Sequence, residues 1–389
     1  MAAKIDGLPH WNTATLLPGA HYTGSNPMPH LFDPFTLRGV TLRNRIGVSP
    51  MCQYSSEDGK ATDWHLVHLG CRAVGGAGLV MCEATAVERR GRISPEDAGL
   101  WSDRQIEPLA RIARFIRQHG AVPGVQLAHA GRKAGTWAPF RGARSRRLAP
   151  EEGGWECVAP SAVPFRPGDP APHELTVEEI SEIRNAFRAA AIRAVEAGYL
   201  WLELHAAHGY LAHSFLTPLA NRRGDLYGGS LENRSRFVVE TVRAIRSVWP
   251  EELPLAVRLS ATDWVEGGWT LDDSIELSKR LGPEGVDLID ASSGHAVAGT
   301  TYQKFPGWQV AFAEAIRKAA GIATAAVGAI QSPAQAETIV ATGQADIVLL
   351  GERMLRDPYW PFHAAEELGQ RDRLPLPAPY DYVLRQPRS

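Results

Sequence analysis

Long apolar runs are missing from this chain. Pro9, His10 and Asn12 break the N-terminus early, so neither a secretory signal nor a spanning segment is expected. Cysteine is scarce: Cys52, Cys71, Cys82 and Cys157 are the only four, and no two have C-x-x-C spacing. A disulfide frame or a zinc cage is therefore not expected, and a reducing, cytoplasmic setting is. Neither sign of charge dominates. Lys plus Arg number 41 and Asp plus Glu 43, a formal net charge of −2. That balance gives no support to a nucleic-acid partner or a membrane surface. No P-loop is present, and no G-x-G-x-x-G follows the first apolar run. The glycine-rich stretch at 73–78 precedes a strand instead of opening a helix, and it reads as a turn.

What is present is ordinary globular composition, 44% hydrophobic and 22% charged over 389 residues, enough for a large core. Residues 1–30 are rich in Pro, Gly, Asn, Thr and His without periodicity and read as an irregular extension. Short apolar runs then recur at 45–49, 78–85, 122–127, 199–204, 253–259, 286–291, 322–327 and 346–350. Helical patterns fall between them, at 64–75, 103–119, 176–197, 231–249, 271–281, 310–320 and 333–342. Thr176 and Glu179 have capping-box spacing, and Gly198 suits the position just past a helix end. Residues 131–173 form a long insertion dense in Arg, Gly, Pro and Trp, which suggests a functional loop or lid.

Eight strands alternating with helices predict a single α/β domain, a (β/α)8 TIM barrel over 31–365, followed by a C-terminal tail, 366–389, that could meet another subunit. Functional residues should then lie at strand C-termini. The fourth run ends in the stretch Trp201 to Tyr210, WLELHAAHGY, which delivers two imidazoles and a phenol together. A regular strand could not aim His205, His208 and Tyr210 at one point, so a turn or short helix from His205 is expected. Three neutral-capable donors there suggest a site that grips an oxygen and supplies a proton. Other strand ends carry Cys52 and Tyr54, then Glu83, then Gln126, His129, Arg132 and Lys133, and Arg258 lies on the fifth strand. Loops after strands seven and eight hold Gly328 and Gly351, where barrels commonly take a phosphate. Together these fit a mononucleotide across the barrel mouth. Competing readings remain: His205 and His208 as metal ligands or structural histidines, Cys52 as an inert buried residue, Arg258 as an ion-pair partner of Asp290, and Trp308 as a packing residue.

The runs Ser49-Pro50-Met51-Cys52-Gln53-Tyr54, Trp64-His65-Leu66-Val67-His68, Gln126-Leu127-Ala128-His129-Ala130-Gly131-Arg132-Lys133 and His205-Ala206-Ala207-His208-Gly209-Tyr210, with Asp225-Leu226-Tyr227-Gly228-Gly229-Ser230 and Leu355-Arg356-Asp357-Pro358-Tyr359, resemble the Old Yellow Enzyme family of FMN-dependent ene-reductases. The likeness is to its bacterial, thermophilic-like branch, which carries a cysteine after strand one. The resemblance implies FMN held around Ser49, Pro50, Met51 and Cys52, by Ala84, Gln126 and Arg258, and by the loops at Val327 and Gly328 and at Gly351, Glu352 and Arg353. It implies that Cys52 touches the flavin and tunes its potential. His205 and His208 would hold a substrate oxygen, Tyr54 would touch it, and Tyr210 would donate the proton. No metal is implied. NADPH (or NADH) would supply hydride in a ping-pong cycle, and the substrate would be a small enone-type molecule, an α,β-unsaturated carbonyl or nitro compound. A homodimer or homotetramer is also implied.

The chain departs from the branch in three places. Gly351 is followed by Glu352, and the arginine comes one place late, at Arg353. The 131–173 loop is longer. The tail only loosely matches one whose arginine, here Arg385, enters a neighbouring site. Two rival classes remain: a metal-dependent barrel hydrolase or aldolase using His205 and His208, and a non-catalytic flavin-binding protein.

Overall fold

A computed structural model describes residues 28–141 and 146–384. Most of the expected 1–30 extension lies outside the described residues. Eight parallel strands close into a barrel: β1 Ile46–Val48, β2 Leu79–Ala86, β3 Val122–Ala128, β4 Trp201–Ala206, β5 Leu255–Ser260, β6 Leu288–Ser292, β7 Ala323–Ala326 and β8 Ile347–Leu350. Each strand pairs with the next, and β8 returns to β1. Helices fill the crossovers, α1 Asp63–Val74, α2 Ile106–Gln118, α3 Val177–Glu196, α4 Leu231–Arg246, α5 Leu271–Leu281, α6 Val310–Ala320 and α7 Pro333–Ala341, and α8 Trp360–Glu367 follows the last strand.

Strands in such a barrel are covered on both faces, so they read as continuous apolar runs. Both β2 and β4 are buried along their whole length. Local signals fix the helix ends. Thr176 Oγ1 accepts from the Glu179 N–H at 3.2 Å, and Glu179 accepts from the Thr176 N–H at 2.8 Å. Gly198 adopts φ +81°, as expected past a helix end. The 73–78 stretch is the turn between α1 and β2, with Gly76 at φ +101°.

Two three-residue strands went unforeseen. Phe35–Leu37 and Val40–Leu42 pair antiparallel and cap the N-terminal end of the barrel. Val40 and Leu42 belong to one apolar cluster with Leu79, Val122, Trp201, Ala256, Leu288 and Ile347, at or next to the start of six barrel strands, and with Ala325 of β7. That end is sealed with apolar side chains, which leaves the C-terminal end for chemistry. The 131–173 insertion lies at the open end. It carries a parallel pair, Val158–Ala159 with His173–Glu174, and a bridge between Thr136 and Arg147. After α8 the chain still contributes to the core through Leu374, and a short helix, Ala378–Leu384, follows. Arg385 lies outside the described residues.

Candidate active site

The expectation that the chain turns at His205 is corrected by the structure. His205 is still in β4, in register with Arg258 of β5. The turn comes later and is left-handed: His208 has φ +60° and Gly209 φ +73°. Only glycine fits at 209, since a Cβ there would lie 2.2 Å from the His295 carbonyl oxygen. Tyr210 then opens a short helix, Leu211–Leu216. Strand end plus left-handed turn, not a helical face, brings the three side chains together. The His205 ring lies 5.0 Å from His208 and 4.9 Å from Tyr210, edge to face in both cases.

Several bonds hold this turn. The His208 N–H donates to Ser260 Oγ at 2.9 Å, and Lys133 Nζ donates to the His208 carbonyl at 2.7 Å. The Gly209 N–H donates to His213 Nδ1 at 2.8 Å, and His213 Nε2 lies 3.0 Å from Asp263. Tautomers follow from the partners. Because His205 Nδ1 accepts from the Ala207 N–H, its Nε2 carries hydrogen and faces His208 Nδ1 at 3.3 Å. His208 Nε2 then meets Ser292 Oγ at 2.7 Å.

Electrostatics set the protonation states. Burial, with the positive charges of Arg258 and Lys133, holds His205 well below the usual imidazole range. Burial, then His205 and Arg258, does the same to His208. Burial pushes the Tyr210 phenol well up, helped by its neighbours Cys52, Tyr54 and Asp97. Two neutral imidazoles thus stand beside a phenol that keeps its proton. Cys52 is raised too, first by burial and then by Asp97 and Glu83, so it is a thiol. Tyr54, at φ +50°, is raised by burial and by Cys52.

Beneath them a polar layer crosses the barrel. Arg258 Nη1 donates to Ser49 Oγ at 3.2 Å, and Nε lies 3.1 Å from Asp290, so the ion pair anticipated for Arg258 exists. Gln126, level with Ala84 of β2, donates to Glu203 at 2.7 Å. Burial and the Asp290 charge raise Glu203, and burial raises Asp290 against the pull of Arg258.

Across the mouth, a cavity of about 480 Å³ opens at the ends of β7 and β8. Val327, Gly328, Gly351, Glu352 and Arg353 line it, joined by Lys304, Trp308 and Arg356. Trp308, for which the sequence offers packing or a pocket wall, does both: it lines this cavity and stacks on Tyr302 at 4.9 Å. Glu352 is paired with Arg356 at 2.6 Å, so its charge is met within the chain. Met51 Sδ comes within 3.6 Å of where a Gly351 side chain would begin, which joins the β1 and β8 loops. Ser260, Ser292 and Lys304 were not among the expected site residues. No local motif marks them; strand register places the two serines here, and the loop after β6 places Lys304.

The arrangement suits a flavin mononucleotide. Gly328 sits at φ +115°, and a Cβ there would fall 2.7 Å from Gln309 Nε2. Lys304, Arg353 and Arg356 surround a space able to take a dianion. Arg258 Nε, buried and 3.1 Å from Asp290, makes no aligned hydrogen bond among the described residues.

Comparison with known proteins agrees. The family described as NADH:flavin oxidoreductase / NADH oxidase matches residues 30–371. The chain is 50% identical over 341 residues to an NADPH dehydrogenase of Geobacillus sp. (strain WCH70), covering 87% of this chain and 94% of the relative. It is 47% identical over 345 residues to an NADPH dehydrogenase of Listeria monocytogenes serotype 4a (strain HCC23), covering 88% and 96%. Among solved structures it is similar to morphinone reductase in complex with tetrahydroNAD, with TM-score 0.72, 27% identity, and 91% and 94% of the two chains covered. It is also similar to the old yellow enzyme homologue from Zymomonas mobilis, with TM-score 0.72, 25% identity, and 87% and 93% covered.

Barrel and site thus define a flavin-dependent oxidoreductase of the (β/α)8 class. The chain belongs to the NADH:flavin oxidoreductase / NADH oxidase family and is an FMN enzyme of the Old Yellow Enzyme, NADPH dehydrogenase kind. The metal-hydrolase reading and the non-catalytic reading give way to this one. Among the described residues, no helix is long and apolar enough to cross a membrane.

Proposed function

We propose that the protein reduces the activated C=C bond of α,β-unsaturated carbonyl compounds at the expense of NADPH. FMN, when bound, supplies the hydride relay between the nicotinamide and the alkene. Ser49, Pro50, Met51, Cys52, Ala84, Gln126 and Arg258 hold its ring, and Val327, Gly328, Gly351, Glu352 and Arg353 hold its phosphate, Glu352 through its backbone. Gln126 has one amide N–H on Glu203 and keeps its other N–H and its carbonyl for a ring edge. The Arg258 guanidinium favours negative charge on the ring.

One observation carries the reading: two neutral imidazoles stand edge to face 5.0 Å apart, with a protonated phenol 4.9 Å from the first of them. An oxygen placed between His205 Nε2 and His208 Nδ1 accepts from both rings. As negative charge grows on that oxygen, the two donors stabilise it and draw electrons from the β-carbon. For His208 to donate through Nδ1, its Nε2 must accept from the Ser292 hydroxyl, which can donate as well as accept. Tyr210 then delivers its proton to the α-carbon. Tyr54 and Lys133 complete the walls. Because nicotinamide and alkene need the same space, turnover is ping-pong.

One spectrum tests this. Under anaerobic conditions NADPH should bleach the flavin, and cyclohexenone should restore the oxidised spectrum. Bleaching that cyclohexenone cannot reverse would reject enone reduction.

A further inference from the structure

A second cavity, of about 330 Å³, opens outward from Tyr54 and Tyr210. The long loop after β3 forms one wall, and residues 295–300 form the other. The cations Arg132, Lys133, Arg147 and Arg166 line it beside His295, with Asp169 as the one carboxylate among the described lining residues. Resting on the enone-reductase reading, we propose that this cavity is an anion subsite: it takes a carboxylate or phosphate carried by the molecule whose reactive end faces Tyr210.

The contacts of the cations support this. Arg132 donates to the carbonyls of Val163, Pro164 and Ala296, and its Nε has no acceptor among the described residues. Lys133 donates to the His208 carbonyl and lies over the rings of Phe165, at 4.6 Å, and Tyr210, at 5.1 Å. Arg147 donates to the Trp155 carbonyl. Among the described residues, none of these three forms an ion pair with a carboxylate. Arg166 lies over the Phe165 ring at 5.5 Å, so Phe165 gathers three cations around it.

Among the described residues Arg132, Lys133 and Arg147 line the cavity without an ion-paired carboxylate, Asp169 being the single acid in its wall; such an excess of positive charge is unfavourable in a partly buried site, and a bound anion relieves it. The strain is visible at Lys133, which burial, Arg132 and Arg166 together pull down to about 7. Barrel loops built only to admit neutral enones would have no use for such a cluster.

Two molecules could bring the anion. One is an alkene bearing an acidic substituent; the other is NADPH, through the 2′-phosphate that NADH lacks. The test uses the flavin-loaded enzyme and an Arg147→Gln/Arg166→Gln variant, which keeps side-chain bulk. One arm compares KM for cinnamaldehyde and its 4-carboxylate. The other compares Kd for NADPH and NADH during rapid anaerobic flavin reduction, which does not depend on enone chemistry. We expect at least one ratio to shift about tenfold against the anionic partner in the variant. We also expect the wild-type preference to shrink in high salt. A shift in the first arm names the substrate, and a shift in the second names the donor phosphate. If both ratios match the wild type, the subsite is disproved. If neither aldehyde is turned over by wild type while NADPH still reduces the flavin, the enone reading fails, and the second arm alone decides the subsite.

Discussion

The ring Nε2 of His208 lies 2.7 Å from the hydroxyl of Ser292, a residue at the end of a strand two places round the barrel. That hydroxyl can accept from one tautomer of His208 and donate to the other, so it allows the ring to turn a hydrogen toward a substrate oxygen.

Ser292→Ala removes the partner that lets His208 donate through Nδ1. Losing one such neutral hydrogen bond costs about 0.5–1.5 kcal/mol, or roughly two- to tenfold in affinity. Titrating 4-hydroxybenzaldehyde against the oxidised flavin should show weakening in that range. Unchanged affinity would mean the hydroxyl plays no part.

Replacing both rings, His205→Ala/His208→Ala, should abolish the long-wavelength band that phenols produce with the bound flavin. A variant that still loads FMN and still shows that band at ordinary phenol concentrations would count against an oxygen-gripping role.

Both imidazoles should stay neutral in acid. Burial and nearby positive charge lower their proton affinity, so the neutral form persists as pH falls through the usual value of about 6.5. Ring nitrogen NMR, assigned with the single alanine variants, should show no protonation of either between about pH 8 and about pH 5.5. A transition near 6.5 in either ring would contradict the electrostatic picture.

Leu42 is fully buried in the plug that seals the barrel floor. Leu42→Ala should destabilise the protein by about 2–5 kcal/mol, through lost burial and the cavity left behind. A lower urea midpoint with little change in KM for enone would place this plug in folding and not in chemistry. No change in midpoint would mean the floor can collapse around the gap.

The strands and helices were legible because their signals are local. Doubly covered strands read as apolar runs, and the Thr176–Glu179 box names its own helix start. The floor hairpin escaped notice because three-residue strands such as Val40–Leu42 have no period to detect. In the site, the His205–His208–Tyr210 cluster was legible because one stretch of chain carries it. How it is brought together was misread: β4 runs two residues further than its apolar run, to Ala206. The Arg258–Asp290 pair was foreseen, but Ser260, Ser292 and Lys304 were not. These groups sit on separate strands and loops, and only barrel closure brings them to the mouth.

The central claim is that Tyr210 gives a proton to carbon after His205 and His208 have taken up the oxygen. Its most direct test is Tyr210→Phe, with the two half-reactions followed separately in the absence of oxygen. Flavin reduction by NADPH should proceed at the wild-type rate, and reoxidation by cyclohexenone should slow by about 10²–10⁴-fold, the usual contribution of a positioned acid. Reoxidation at the wild-type rate would remove Tyr210 as the donor and contradict the mechanism.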